Sequence, residues 1–134
     1  MRKIEFRGKT VDSGEWIYGD LIQMDDECYI QYTEYVSQGE WDSSYTDCVG
    51  EVVDTETVGQ YTGLTDKNGT KIFEEDIVEY ITGKDFSNVA QIIFKDCQFC
   101  CKDIHNRMIT QPAFMNVEFE VIGNIYDNPE LLKN

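Results

Sequence analysis

Apolar and polar residues alternate along much of this chain, with the two-residue period of a β-strand that keeps one face in water. In the clearest run, Met115, Val117, Phe119 and Val121 are separated by polar residues. Shorter apolar runs predict four further strands, at 16–22, 28–32, 76–81 and 88–95. The 3.6-residue period of a helix is almost absent. The pattern therefore predicts an all-β fold, made of small twisted antiparallel sheets or a partly open barrel.

Turn and cap residues add two local predictions. The pair Asn68-Gly69 suits a type I′ hairpin turn, because both residues tolerate positive φ. Near the C-terminus, Asn128 can cap a helix, Pro129 fits the first helical position, and Glu130 favours the positive end of the helix dipole. Few residues follow them, so the sequence predicts a short C-terminal helical turn.

The length of 134 residues predicts one domain. A weak internal repeat divides it: two glycines six residues apart are followed by an aromatic-bearing strand and an acid, once at Gly8 and Gly14 and again at Gly63 and Gly69. The repeat is either a duplication or two ordinary hairpins that use the same turn chemistry. We therefore expect one domain with two interleaved β parts, 1–56 and 57–134.

Charge is distributed unevenly along the chain. There are 26 acidic and 11 basic residues, which gives a net charge of −15, and the segment 11–60 contains 13 acids without a single Lys or Arg. Binding to nucleic acid requires a basic footprint, and an anionic membrane repels an acidic surface, so neither is an expected partner. The charge favours either solubility alone or a basic protein partner.

Targeting and cysteine signals point to a reducing compartment. No apolar run approaches the about 20 residues of a membrane span. The basic start Met1-Arg2-Lys3 is not followed by an apolar segment, so no signal peptide is expected and the protein is predicted to be cytoplasmic. An odd number of cysteines then predicts free, reduced thiols at Cys28, Cys48, Cys97, Cys100 and Cys101.

One cluster resembles a metal or redox site: Cys97, Cys100, Cys101 and His105. Zinc usually needs two well-spaced ligand pairs, and the second pair is missing unless another cysteine folds in. A redox thiol prefers a helix start, which this segment lacks. Any Ser–His or Cys–His mechanism would need His105, the only histidine, and no nucleophile motif accompanies it. Structural thiols are the favoured interpretation, and no cofactor, metal or catalytic residue is predicted.

The stretch 33–57 shows no clear period and predicts either a long loop or a projecting hairpin. Aromatic residues on such an element are typical of protein contacts, although they also fit a loop that covers the core. Acidic residues nearby either attract a basic partner or form solvated turns. The candidate partner-binding residues are Trp41, Tyr45, Asp25, Asp26, Glu27, Asp42 and Asp47. With Trp16, the aromatic residues also predict a homo-oligomer.

Three long motifs allow a comparison with known families. They read IEFRGK and GEWIYGDL at 4–9 and 14–21, TVGQYTGLTDKNG and IFEEDIV at 57–69 and 72–78, and VIGNIYDNPELL at 121–132. In this order the chain resembles the YopX family of phage and prophage proteins. The resemblance implies a largely β fold encoded in temperate phages of bacteria, without an established activity or any catalytic residue. The family often has glycine where this chain has Glu75, which suggests that the backbone there does not require glycine.

Two hypotheses about function follow. The favoured one is a non-enzymatic phage accessory protein that binds other proteins in the bacterial cytoplasm. The alternative is an acidic mimic of nucleic acid that blocks a DNA-binding protein of host or phage. A mimic needs carboxylates spaced like phosphates along one ridge, whereas a general protein-binding module needs an apolar hot spot.

Overall fold

The computed structural model describes residues 1–36, 45–82, 86–109 and 118–133. Its strands form two antiparallel sheets. The strands are β1 Phe6–Lys9, β2 Trp16–Met24, β3 Glu27–Val36, β4 Tyr45–Val53, β5 Gly59–Thr65, β6 Lys71–Phe73, β7 Asp76–Thr82, β8 Phe86–Lys95, β9 Gln98–Asp103, β10 Met108–Ile109 and β11 Phe119–Asn124. Two short 3₁₀ turns, Thr55–Thr57 and Pro129–Leu132, complete the regular structure of the described residues. The predicted all-β fold and the C-terminal helical turn are confirmed.

The predicted strands are present, and most are longer than predicted. All four short runs lie in strands: β2, β3, β7 and β8. The alternating run ends in β11, and its residues before Glu118 lie outside the described part of the chain. In the stretch 33–57, the hairpin alternative is right and the long loop is wrong, because β3 and β4 pair as far as Val36 and Tyr45.

The chain divides into two compact units, Lys3–Gln60 and Tyr61–Asn134. The first unit has the strand order β4-β3-β2-β1-β5, with β1 pairing to Gly59 and Gln60 of β5. Its core is a cluster of apolar side chains: Cys28, Ile30 and Val53, with Phe6, Ile17 and Leu21 from one face of the strands, and Val58 just before β5, packed against them. This face holds the strands together because it is the one removed from water.

The second unit contains the rest of β5, paired with β6, and a sheet in the order β10-β9-β8-β7-β11. Its core is larger than that of the first unit, and it includes Ile72, Val78, Tyr80, Ala90, Ile92, Cys101 and Phe119. The rings of Tyr80 and Phe119 meet edge to face, with their centroids 5.4 Å apart. Burial of these residues supplies most of the favourable free energy of folding in this unit.

The loop between β5 and β6 is built on the side chain of Asp66. Its Oδ1 accepts hydrogen bonds from the backbone N–H groups of Asn68 at 2.8 Å and Thr70 at 2.9 Å. Of the predicted type I′ pair, only Gly69 has positive φ, at 82°. The type I′ prediction is therefore wrong: the aspartate organises a wider loop by bonding to backbone that follows it in the chain.

Asp66 also reaches a strand far away in sequence. Its Oδ2 accepts a hydrogen bond at 3.0 Å from the N–H of Val121 in β11. Beside it, the N–H of Lys67 donates to the carbonyl of Phe119 at 3.0 Å. The carboxylate is 8% exposed, so a buried charge is balanced by three backbone donors.

Asp103 forms the same kind of loop between β9 and β10. Its Oδ1 accepts from the N–H groups of His105 at 2.9 Å and Arg107 at 2.7 Å, and Asn106 takes positive φ, at 63°. The N–H of Asp103 donates to the carbonyl of Arg107, as the N–H of Asp66 does to Thr70. These two acids therefore stabilise turns, and they are not available for a partner.

Glu75 occupies a strained position in the link between β6 and β7. Its φ is 69°, in the left-handed region that favours glycine. Its N–H donates to the carbonyl of Ile92 at 2.7 Å and its own carbonyl accepts from Ile125 at 3.0 Å, which holds the backbone in place. Glycine is therefore not strictly required here, as suggested, because Glu75 itself adopts this conformation, although glycine would adopt it at lower cost.

Replacing Glu75 should reveal this strain. The carboxylate accepts a hydrogen bond from the side-chain amide of Gln91, and both Glu75→Gly and Glu75→Ala lose that bond. Only the alanine variant keeps a Cβ, so we expect the glycine variant to be more stable by about 1 kcal/mol. Urea unfolding of the two variants measures the difference. A glycine variant no more stable than the alanine variant would contradict the assignment of strain.

Candidate functional site

The strands β2, β3 and β4 of the first unit have one face on the core and one face away from it. Successive side chains point to opposite faces, so the register assigns each residue to one of them. The face away from the core, which we call the open face, consists of Trp16, Tyr18, Asp20, Ile22, Met24, Glu27, Tyr29, Gln31, Thr33, Tyr35, Thr46, Cys48, Gly50 and Val52.

Large apolar and aromatic side chains of the open face are in contact with solvent. Tyr18 is 45% exposed, Ile22 36%, Met24 58% and Tyr35 74%. Single exposed apolar residues are common on protein surfaces, whereas several on one sheet face are more typical of interaction surfaces. Tyrosine and methionine are among the residues enriched at the centres of protein interfaces.

The open face combines these side chains with carboxylates. Asp20 and Glu27 lie on it, and the hydroxyl of Tyr29 donates to Glu27 Oε2 at 2.7 Å, a bond that raises the pKa of the tyrosine. The segment 11–60, which includes β2, β3 and β4, contains no Lys or Arg. The face can therefore offer apolar contact area and attract cations at the same time.

Two of the predicted contact residues meet in a recess at one end of these strands. A cavity of about 480 Å³ is lined by Asp26, Glu27 and Asp54, together with Lys9. Asp25 lies in the same two-residue turn between β2 and β3, with a φ of 50°. The predicted acidic group at 25–27 is thus a real feature of the surface, although Glu27 is also engaged by Tyr29.

The other predicted acid lies at the opposite end of the hairpin. Asp47 is directly across from Glu34 in the β3–β4 ladder, and like charges in this arrangement repel each other. Asp47 Oδ1 accepts a hydrogen bond from the N–H of Cys48 at 2.9 Å. Glu27 and Glu34 are seven positions apart along β3, which corresponds to about 23 Å of strand. The predicted acids therefore form two groups and not one site.

The predicted aromatic residues cannot be compared with this surface. Trp41 and Asp42 lie outside the described residues, and of Tyr45 only the backbone, at the start of β4, is described. Trp16 is half-buried, with the Arg7 guanidinium 4.5 Å and the Lys9 ammonium 5.4 Å from its ring centre. These cation–π contacts stabilise β1 against β2.

Sequence reasoning missed Tyr18, Ile22 and Met24, whereas Tyr35 is one of the aromatic residues of 33–57 for which protein contact was one interpretation. In β2 both faces carry apolar residues: Ile17 and Leu21 pack on the core while Ile22 and Met24 face solvent. Such a strand reads as buried on both faces, so its apolar residues gave no reason to expect an exposed surface. The sequence of β2 alone therefore does not distinguish an exposed apolar face from a buried one.

The cysteine cluster has the features of structural thiols. Cys97 is in the hairpin turn between β8 and β9, where it and Asp96 have φ values of 63° and 53°, and burial raises the pKa of the Cys100 and Cys101 thiols. All five cysteines are free, and His105 is exposed. Among the described residues, no three or more His, Cys, Asp and Glu side chains are grouped so that they could hold a metal ion.

Comparisons with known proteins agree with this fold. The model of the family described as YopX protein matches residues 5–133. The crystal structure of protein EF1440 from Enterococcus faecalis is similar over 99% of this chain and 100% of that one, with 25% sequence identity and a TM-score of 0.60. No curated protein matched. In the described part of the chain, no helix is long and apolar enough to cross a membrane. The chain belongs to the YopX family.

Proposed function

We propose that this chain is a phage or prophage accessory protein that acts in the cytoplasm of its bacterial host by binding a basic protein, without catalysing a reaction. The observation that carries the proposal is the open face, where exposed apolar side chains stand among carboxylates in a segment without Lys or Arg. The phage context rests on the family alone.

The two kinds of side chain have different roles in binding. Met24, Ile22 and Tyr35 supply apolar area, and removing them from water against a partner provides most of the affinity. The carboxylates accelerate the encounter with a basic protein and oppose acidic competitors. A second copy of this chain, with its net charge of −15, is repelled by the same field. The homo-oligomer stays a prediction.

The arrangement of acids favours this function over the nucleic-acid mimic. A mimic requires carboxylates that follow one another along a ridge. In the first unit, no described strand places acids at consecutive positions on one face. Within a single strand, the two acids nearest to each other on one face are Asp47 and Glu51 of β4, and Val49 lies between them.

Capture followed by calorimetry tests the proposal. The immobilised chain is incubated with lysate of the lysogenic host, and a captured protein is identified, purified and titrated with Met24→Ser and Ile22→Ser. Because apolar contacts dominate the affinity, each variant should raise Kd at least about tenfold. Ile81→Ser is the matched control, since Ile81 is 64% exposed but lies in the second unit, and it should leave Kd unchanged.

Three outcomes would contradict the proposal. One is that no captured protein is basic, and another is that Ile22→Ser and Ile81→Ser behave alike. The third is capture of a DNA-binding protein whose affinity falls steeply with salt and is unaffected by the apolar variants. In that case the affinity should also fall when the acids are neutralised, either at Asp25, Asp26 and Glu27 or at Asp42 and Asp47. That result would establish the mimic instead.

A further inference from the structure

A second cavity lies on the open face, between its two ends. Its volume is about 310 Å³, and it is bounded by the segment that precedes β1 and by side chains of β2, β3 and β4. Resting on the proposed function, we propose that this cavity binds an arginine side chain of the basic partner. The residues that recognise it are Glu5, Tyr18, Asp20 and Gln31.

The walls of the cavity match the chemistry of a guanidinium group. Glu5 and Asp20 supply carboxylates, which accept paired N–H bonds from its planar edge. Tyr18 supplies an aromatic surface for its flat side, and the side-chain carbonyl of Gln31 is a further acceptor. The Glu5 side chain is only 14% exposed, so its charge acts where water screens it weakly.

Lys3, which also lines the cavity, forms an ion pair with Glu5. Lys3 Nζ is 3.9 Å from Glu5 Oε1, which is within ion-pair range but longer than a hydrogen bond. The Lys3 side chain is 62% exposed, so it can leave without exposing buried surface. A lysine at this distance shows that Glu5 attracts cations, and a better-fitting cation from a partner would replace it.

The geometry of the strands keeps the cavity in place. A Cβ on Gly19 would lie 2.1 Å from the carbonyl oxygen of Gln31, so β2 and β3 approach closely beside the cavity. This approach brings Tyr18 and Asp20 of β2 next to Gln31 of β3. Arginine is favoured over lysine because the guanidinium stacks on tyrosine and bonds to two acceptors at once, whereas an ammonium acts as a point charge.

The test uses two peptide probes, hexa-arginine and hexa-lysine, titrated into the full chain by calorimetry at low salt. Hexa-arginine should bind about tenfold more tightly than hexa-lysine. Glu5→Gln and Asp20→Asn should each weaken hexa-arginine binding about tenfold. Lys3→Ala should strengthen it severalfold, because one cation that competes for Glu5 is removed. Asp20 is exposed, so Asp20→Asn should fold and can test the site even if Glu5→Gln does not fold.

Charge-matched variants separate the cavity from general attraction. Glu130→Gln and Lys133→Ala make the same changes in net charge at exposed positions of the second unit, and they should alter binding less than twofold. Equal affinity for both peptides, or equal effects at Glu5 and Glu130, would overturn the arginine site. The proposed function is judged separately by the Met24→Ser and Ile22→Ser titrations of the captured protein, so either can fail alone.

Discussion

Replacing Gly19 with alanine is expected to destabilise the first unit by about 3 kcal/mol. The new Cβ would lie 2.1 Å from the carbonyl oxygen of Gln31 and 2.9 Å from its carbonyl carbon. Both atoms belong to the backbone of β3 and cannot rotate away. The strands must therefore separate at the point where Asp20 pairs with Gln31, which breaks hydrogen bonds on both sides.

Gly50 in β4 provides the matched control. Nothing lies within 4 Å of a Cβ built at Gly50, so Gly50→Ala should leave the stability unchanged or raise it by up to about 1 kcal/mol, through a less flexible unfolded chain. Trp16 lies in the first unit, and residues 61–134 contain no tryptophan, so tryptophan fluorescence during urea unfolding reports on the first unit. A Gly19→Ala protein as stable as Gly50→Ala would show that the close approach is not required.

Replacing Asp66 with alanine is expected to cost the second unit about 3 kcal/mol. The change leaves the N–H groups of Asn68, Thr70 and Val121 without their acceptor, and at least part of this backbone is shielded from water. Hydrogen exchange at the Val121 amide should accelerate strongly. Glu118→Ala removes the same charge from an exposed position just before β11 and should have little effect.

Low pH should reduce the contribution of Asp66 to the stability of the second unit. Burial raises the pKa of Asp66, but the N–H groups of Val121, Thr70 and Asn68 lower it more, and the pKa is below its ordinary value. An unfolded aspartate has a pKa of about 3.9, so below about pH 4 the unfolded chain takes up a proton first and unfolding is favoured. The stability from Asp66 is present above that pH and is lost as pH falls through the folded pKa.

The comparison of pH profiles isolates this contribution. Asp66→Asn should be less stable than wild type at pH 7 and should lose less stability between pH 5 and pH 2. Some dependence should remain, because hydrogen bonds also lower the pKa of Asp103 in spite of its burial. Identical slopes for the variant and wild type would contradict a role for the Asp66 charge.

The sequence was sufficient for the β class and for the positions of β2, β3, β7 and β8, because each of these strands contains an apolar run bounded by turn residues. It could not reveal β6 and β10, with three and two residues, since these are shorter than any pattern can define. In β4, acids and apolar residues occur on the same face, as in Asp47, Val49 and Glu51, which conceals the alternation.

The candidate site was predictable only in part. The acidic group at 25–27 was recognisable in the sequence, and in the structure Asp26 and Glu27 line one recess. The exposure of Met24 or Tyr35 depends on which strand faces cover the core, which only the three-dimensional pairing determines. Likewise, the residues that follow Asp66, which include Asn68 and Gly69, indicate a turn. The hydrogen bond between Asp66 and Val121, 55 residues away, has no signature in the local sequence.

The Asp66 loop has a consequence for the behaviour of the protein in a crowded cell. β11 is the last strand of its sheet, and its outward backbone groups would invite a strand from another chain to pair with them. The Asp66 carboxylate and the Lys67 N–H occupy the outward groups of Val121 and Phe119. The Asp66 loop thus covers the edge of the sheet where a strand of another chain would otherwise pair. Loss of Asp66 would expose this edge of β11 and promote aggregation by strand pairing.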